Sequence, residues 1–204
     1  MYKHYTKRLL DIILSLIALP FVLLSFVFCA PIIWFTDKGP IFYNAPRRGQ
    51  KGTIFTMYKY RSMYVNAPVL KNADGSTYSG NDDPRVTRFG RIMRKLSVDE
   101  LPQILNVLKG DMSFVGPRPN LAVGNYEEFD EYRKKRLEVR PGITGYSQAY
   151  FRNSITQEQK FINDCYYVDN VSFLFDVKIL IQTVLSVVRS KNINYQESAE
   201  KKGM

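Results

Sequence analysis

The chain has 204 residues, enough for one domain with a core and a short additional segment. Its 29 Lys and Arg against 19 Asp and Glu give a formal charge of +10, which predicts an anionic partner without choosing between phosphates, nucleic acid and a membrane face. A single histidine, His4, excludes histidine-rich zinc sites and leaves a Ser-His-Asp triad only if His4 reaches the site from the N-terminal flank.

From Ile12 to Phe35 only Ser15 and Ser25 are polar. A helix over this run, rising ~1.5 Å per residue, is long enough to cross a bilayer core of about 30 Å. Pro20 falls within it and is expected to kink or break it. Lys3, Lys7 and Arg8 precede the run against Asp11 alone, and the rest of the net positive charge follows it. Basic flanks prefer the cytoplasm. A straight span sends one flank outside, whereas a helix-break-helix bent at Pro20 keeps both inside; the residues leave both open. Cys29 lies in the apolar run, so no bridge to Cys165 is expected, and both cysteines suit a reducing compartment.

Ile41 to Tyr60 reads as a β-hairpin around the turn Gly49-Gln50-Lys51-Gly52. Residues 66 to 84 read as a polar loop. Arg85 to Leu108 reads as two helices meeting near Ser97, Tyr126 to Val139 as a charged helix, and Phe173 to Val188 as a strongly apolar one. The tail from Lys191 is polar, with fraying expected.

The segment from Ser97 to Pro119 carries the densest chemistry. Asp99 and Glu100 are adjacent acids at a predicted helix start. Ser97 and Glu100 also spell an S-x-x-E capping box, and capping competes with catalysis as their role. Acids at a helix start can share an anion site with phosphate if Mg²⁺ offsets the charge. Arginines 85, 88, 91 and 94 recur at a spacing of three along one helical stripe, facing either solvent or phosphates. Gly116-Pro117-Arg118-Pro119 is a stiff loop able to present Arg118 as a phosphate fork. Pro141 to Gly145 reads as another turn. No P-loop or dinucleotide fingerprint occurs, and no nucleic-acid-binding motif.

Several long motifs in fixed order resemble the bacterial sugar transferase family, the small monotopic phosphoglycosyl transferases. They are KRLLDIILSLIALP, GPIFYNAPRRGQKGTIFTMYKYRSM, DPRVTRFGRIMRKLSVDELPQILNVLKGDMSFVGPRP, RPGITGYSQAYFRN and YYVDNVSFLFDVKILIQT. The resemblance covers about residues 6 to 190. It implies an α+β, mainly helical fold with a re-entrant N-terminal membrane helix (1–36), a transferase domain on interfacial amphipathic helices with a short β-hairpin (37–190), and a polar tail (191–204). It further implies Mg²⁺ and a two-step reaction at the cytoplasmic face of a bacterial plasma membrane. Asp99 would attack a UDP-sugar, releasing UMP, and a polyprenol phosphate would accept the phosphosugar. Glu100, with Asp99, would hold the metal; Lys59, Arg118, Arg152 and Asp176 occupy family motif positions around phosphates and sugar nucleotide. Arg88 is placed with them as a candidate phosphate contact from the arginine stripe.

The partners expected are thus a UDP-sugar, a polyprenol phosphate and an anionic phospholipid membrane, with no nucleic acid and a homodimer left open. Two departures stand out: Leu19 precedes Pro20 where the family often has Ser, and Asn44-Ala45-Pro46 precedes Arg47 where it commonly has Gln. The competing reading is a non-enzymatic basic membrane anchor that recruits partner proteins. It accounts for the apolar run and the charge, but not for the Asp99-Glu100 and Arg118 segments.

Overall fold

Helix α1, Lys7–Asp37, dominates the N-terminal part of the computed structural model, which describes residues 2–70, 78, 83–152 and 154–188. It is the apolar run made into one helix of 31 residues, about 46 Å long at ~1.5 Å per residue. The break expected at Pro20 does not occur: the helix runs on through Pro20 and Pro31. Each proline removes a single N–H, and the helix is supported along its length by the rest of the chain. Its buried residues, Asp11, Ser15, Val22, Cys29, Ala30 and Ile33, form one stripe at helical spacing. The helix ends where Lys38 adopts a left-handed conformation, with its N–H donating to the Trp34 carbonyl at 2.7 Å.

The hairpin forms as the alternation predicts. Strands β1 (Ala45–Arg48) and β2 (Ile54–Met57) pair antiparallel with Arg47 opposite Phe55. An additional bridge joins Phe42 to Tyr60. Residues 71–77 and 79–82 of the polar loop, and the tail from 191, lie outside the described residues.

Helix α2 (Arg88–Leu96) starts at Thr87, whose side chain accepts from the Gly90 N–H, and stops at Ser97 in a left-handed conformation. A 3-10 turn, Val98–Glu100, leads into α3, Gln103–Lys109. The two helices therefore do meet at Ser97.

Beyond them lies a parallel pair that the sequence did not reveal: β3 (Ser113–Val115) beside β4 (Gly142–Thr144). The turn expected over Pro141–Gly145 is mostly this strand. Gly116 and Gly142 face each other so closely that a Cβ on either would overlap backbone of the opposite segment. The charged helix expected over Tyr126–Val139 shrinks to α4, Glu131–Lys135, after a 3-10 turn at Tyr126–Glu128. Phe129 is extended, and the Asp130 carboxylate caps α4 by accepting from the Arg133 N–H, so the helix starts late.

Helices α5 (Tyr146–Tyr150), α6 (Gln157–Asp169) and α7 (Phe173–Val188) complete the fold. Val115, Val139, Ala149, Tyr167, Val168 and Ile179 make their common core. A second cluster, Cys29, Ile33, Tyr60 and Met93, joins α1 to the hairpin and α2. Both cysteines are free and buried, as expected.

Candidate active site

The chain reverses sharply between α2 and α3, and this reversal carries the adjacent acids. With Ser97 left-handed (φ 57°), its side chain makes no cap bond, so the capping box does not form. Glu100 turns instead toward two cations: its Oε1 accepts from Lys59 Nζ at 3.0 Å and from Arg118 Nη2 at 3.1 Å. Lys59 Nζ also lies 3.0 Å from Asp99 Oδ2, so one ammonium bridges both carboxylates. Asp99 is buried, at 2% exposure. Lys59 follows the hairpin, and the next residue fixes the register: the Tyr60 N–H donates to the Asp99 carbonyl at 3.0 Å.

Electrostatics keep Glu100 ionised. Burial raises the Glu100 carboxyl, but Lys59 and Arg118 outweigh it and bring the group from 4.5 down to about 2. Glu100 in turn pushes the Arg118 guanidinium up.

The Arg118 loop is braced from behind. Arg136 Nη2 donates to the Arg118 carbonyl at 2.7 Å and to Asp164 Oδ2 at 2.6 Å. The chain beyond Arg118 then lies along β1, with the Arg48 N–H donating to Asn120 O at 2.9 Å.

Asp99, Glu100, Lys59 and Arg118 thus form one cluster from three separate segments. The other expected residues are not linked to it by any hydrogen bond or ion pair among the described residues. Asp176 is buried and accepts from Tyr2 Oη at 2.6 Å, Lys7 Nζ at 2.5 Å and Tyr167 Oη at 2.7 Å. Arg152 follows α5 in a left-handed conformation (φ 51°), with burial pushing its guanidinium down. Arg88 is exposed at the start of α2.

The arginine stripe also divides. Arg85 lies before the helix, paired with Asp83 at 2.7 Å, where it donates to the carbonyls of Pro68 and Tyr78. Arg94 turns inward, donating to Ser62 Oγ at 2.9 Å, and the charges of Asp99 and Glu100 act on it. Only Arg88 and Arg91 remain on an exposed face.

Sequence reasoning gave no role to Arg136, Asp164 or Tyr60, whose importance arises from contacts between distant segments. Arg47, noted only for the residues before it, is placed by strand register close to Arg118 and Glu100.

Comparison with known proteins identifies the family. A family model described as bacterial sugar transferase matches residues 2–190. The chain is 42% identical over 190 residues to the uncharacterized sugar transferase EpsL of Bacillus subtilis strain 168, covering 92% of this chain and 89% of that protein. It is 36% identical to the exopolysaccharide production protein ExoY of Sinorhizobium fredii, covering 91% of this chain and 87% of that one. It is 34% identical to the undecaprenyl-phosphate galactose phosphotransferase of Salmonella typhimurium, covering 92% of this chain but only 41% of that longer protein. With a match over nearly its whole length, and with the acids and cations of its central motifs gathered into one cluster, the chain belongs to the bacterial sugar transferase family.

Proposed function

We propose that this protein transfers a sugar 1-phosphate from a UDP-sugar to a polyprenol phosphate, at the cytoplasmic face of a bacterial plasma membrane. The observation that carries the reading is the pair of a buried Asp99 and a half-buried Glu100, bridged by Lys59, with Arg118 on the outer side. Such a site presents a carboxylate nucleophile within a ring of phosphate-binding cations. The acceptor comes from a relative named for undecaprenyl phosphate.

In the first step an Asp99 oxygen attacks the sugar-bearing phosphorus. The bond to the bridging oxygen of the diphosphate breaks, and UMP leaves with the electron pair. In the second, a phosphate oxygen of the polyprenol phosphate attacks the same phosphorus and frees the Asp99 carboxylate. Lys59 and Arg118 neutralise charge that would otherwise repel a carboxylate from a phosphate.

The donor set fits Mg²⁺. Among the described residues no three acids, histidines or cysteines form a metal cage. Mg²⁺ is commonly held by one or two carboxylates together with substrate phosphates, and Asp99 and Glu100 would supply the carboxylates. Bound there, the ion would screen phosphate oxygens and polarise the reacting phosphorus.

Same-side topology is supported by where α1 is tied down. Near its start Arg8 donates to the carbonyls of Val107 and Leu108, and Asp11 accepts from Ser113 Oγ and the Phe114 N–H. At its end Asp37 pairs with Arg61 at 2.6 Å. Both ends of the apolar helix therefore meet the same polar domain, which a bilayer-crossing helix would separate. Contact at both ends supports placing both basic flanks on one side, without the break at Pro20 that a helix-break-helix would need.

The test is a screen of UDP-sugars with polyprenol phosphate, detecting UMP. Without acceptor, mass spectrometry should find a phosphosugar adduct on the peptide containing Asp99. No UMP from any donor leaves the membrane-anchor reading standing, and an adduct elsewhere reassigns the nucleophile.

A further inference from the structure

Arg47 is half-buried, and it differs from most of the buried and half-buried arginines; Arg48 shares an unpartnered Nε but bonds carbonyls through its other nitrogens. Arg61, Arg85 and Arg136 each face a carboxylate, and Arg8, Arg48 and Arg140 each donate to backbone carbonyls. The Arg47 Nε is buried without a hydrogen-bond partner, and its guanidinium makes no ion pair among the described residues. A guanidinium stays charged at neutral pH, and leaving one desolvated without an acceptor is unfavourable. An anion supplied from outside removes that penalty.

Its position says which anion. Arg47 stands on β1 opposite Phe55, with Leu121 bridged on its other side. That bridge belongs to the chain leaving the Arg118 loop. The charges that act on Arg47 are those of Arg118 and Glu100, with Tyr43 beside them. Arg118 is a like charge, and Glu100 is already committed to Lys59 and Arg118. Lys59, Arg94, Arg118 and Arg47 together outnumber Asp99 and Glu100. A site with surplus cations and one empty guanidinium fork matches a ligand carrying several phosphate charges.

We propose that Arg47 is a substrate-binding residue whose guanidinium takes a phosphate oxygen beside Arg118. The proposal rests on the transferase reading and deepens it. The phosphate belongs either to the sugar-nucleotide donor or to the lipid-phosphate acceptor, and the two are separable by experiment.

Arg47→Met and Arg47→Lys would be made in the full chain, purified in detergent. UDP binding is measured by calorimetry, KM by titration with undecaprenyl phosphate, and unliganded stability by thermal unfolding. Loss of a charge-assisted bond lowers affinity about 10- to 100-fold. If Arg47 meets the donor, UDP affinity falls by that factor in Arg47→Met and recovers partly in Arg47→Lys. If it meets the acceptor, the KM for undecaprenyl phosphate rises instead while UDP affinity holds. In either case the unliganded Arg47→Met protein unfolds at or above the wild-type temperature, because the charge removed had no partner.

Unchanged UDP affinity together with unchanged KM overturns the proposal. So does weakened binding accompanied by a lower melting temperature in both variants, which marks Arg47 as structural. A wild type that neither binds UDP nor releases UMP overturns the transferase reading and this proposal with it. A wild type that does both, beside unaffected variants, overturns the Arg47 assignment alone.

Discussion

Arg136 offers a test in which stability and function come apart. Its Nε and Nη2 both reach Asp164 Oδ2, at 2.9 and 2.6 Å, while Nη2 also holds the Arg118 carbonyl at 2.7 Å. The two side chains are only 4% and 6% exposed. Arg136→Met strands the Asp164 carboxylate in the interior, and removing one partner of a buried pair costs about 3–5 kcal/mol. At ~2–4 °C per kcal/mol for a chain of this size, thermal unfolding in detergent should shift down by 6 °C or more. Burial already pushes the Asp164 carboxyl up, with Arg136 opposing it. Without Arg136 its folded-state value rises further above the unfolded one, so the deficit is full at neutral pH and shrinks as pH falls and the carboxyl takes a proton. Adding Asp164→Leu removes the stranded charge and should recover most of the stability. It cannot restore the bond to the Arg118 carbonyl. The double variant should therefore fold well and still turn over donor several-fold more slowly, consistent with losing one bond of about 1 kcal/mol behind Arg118. A double variant as unstable as the single one refutes the stranded-charge argument. Wild-type kinetics in a stable double variant refute the brace.

The remaining expectations concern the acids, topology and the exposed arginines. Asp99→Asn should fold and lose turnover by orders of magnitude, measured as UMP release. Glu100→Gln should also be crippled, because Glu100 bonds Lys59 and Arg118 rather than capping a helix. Because the Glu100 pKa is depressed to about 2, its contribution to stability is present above the unfolded value near 4.5 and is lost as pH falls toward 2; Glu100→Gln should flatten that acid limb in unfolding experiments. Cysteines placed at Lys3 and Lys38 should both be labelled from the cytoplasmic side only, and external labelling at Lys3 would restore a spanning helix. Charge reversal at Arg88 and Arg91 should weaken binding to anionic vesicles or raise the KM for substrate; if neither changes, this face only meets solvent.

What the sequence disclosed depended on how local the determining forces are. The hairpin rests on alternation around a glycine-bounded turn, and α7 on a long apolar periodicity, so both are legible residue by residue. Strands β3 and β4 have three residues each, and their pairing depends on Gly116 and Gly142 meeting across more than twenty residues of intervening chain, which no local pattern carries. The capping box failed for a related reason. Ser97 ends α2 instead of starting a helix, and Glu100 gains more from Lys59 and Arg118 than from a backbone N–H. The motif residues at the centre were nonetheless readable: Asp99, Glu100, Lys59 and Arg118 meet. Arg47 and Arg136 were not, since only strand register and a buried partner give them meaning.

The apolar helix is more than a tether for this site. Tyr60, at 1% exposure, lies against Cys29, Ile33 and Met93, and its hydroxyl meets Ser25 Oγ at 2.9 Å. From the same residue the backbone N–H reaches the Asp99 carbonyl, and the preceding residue is Lys59, the ammonium between the two acids. One residue thus connects the middle of α1 to the proposed nucleophile and to its counter-ion. Farther down, Arg8 closes the C-terminal end of α3, the helix that follows the acids, by taking the Val107 and Leu108 carbonyls. The acids are therefore clamped from both sides by groups that α1 positions. A change that displaces α1 from this domain must move Tyr60, and with it Lys59 and Asp99. Such a linkage keeps the Asp99 carboxylate at a set position relative to the apolar helix, which is what the proposed reaction between a water-soluble donor and a lipid-borne acceptor requires.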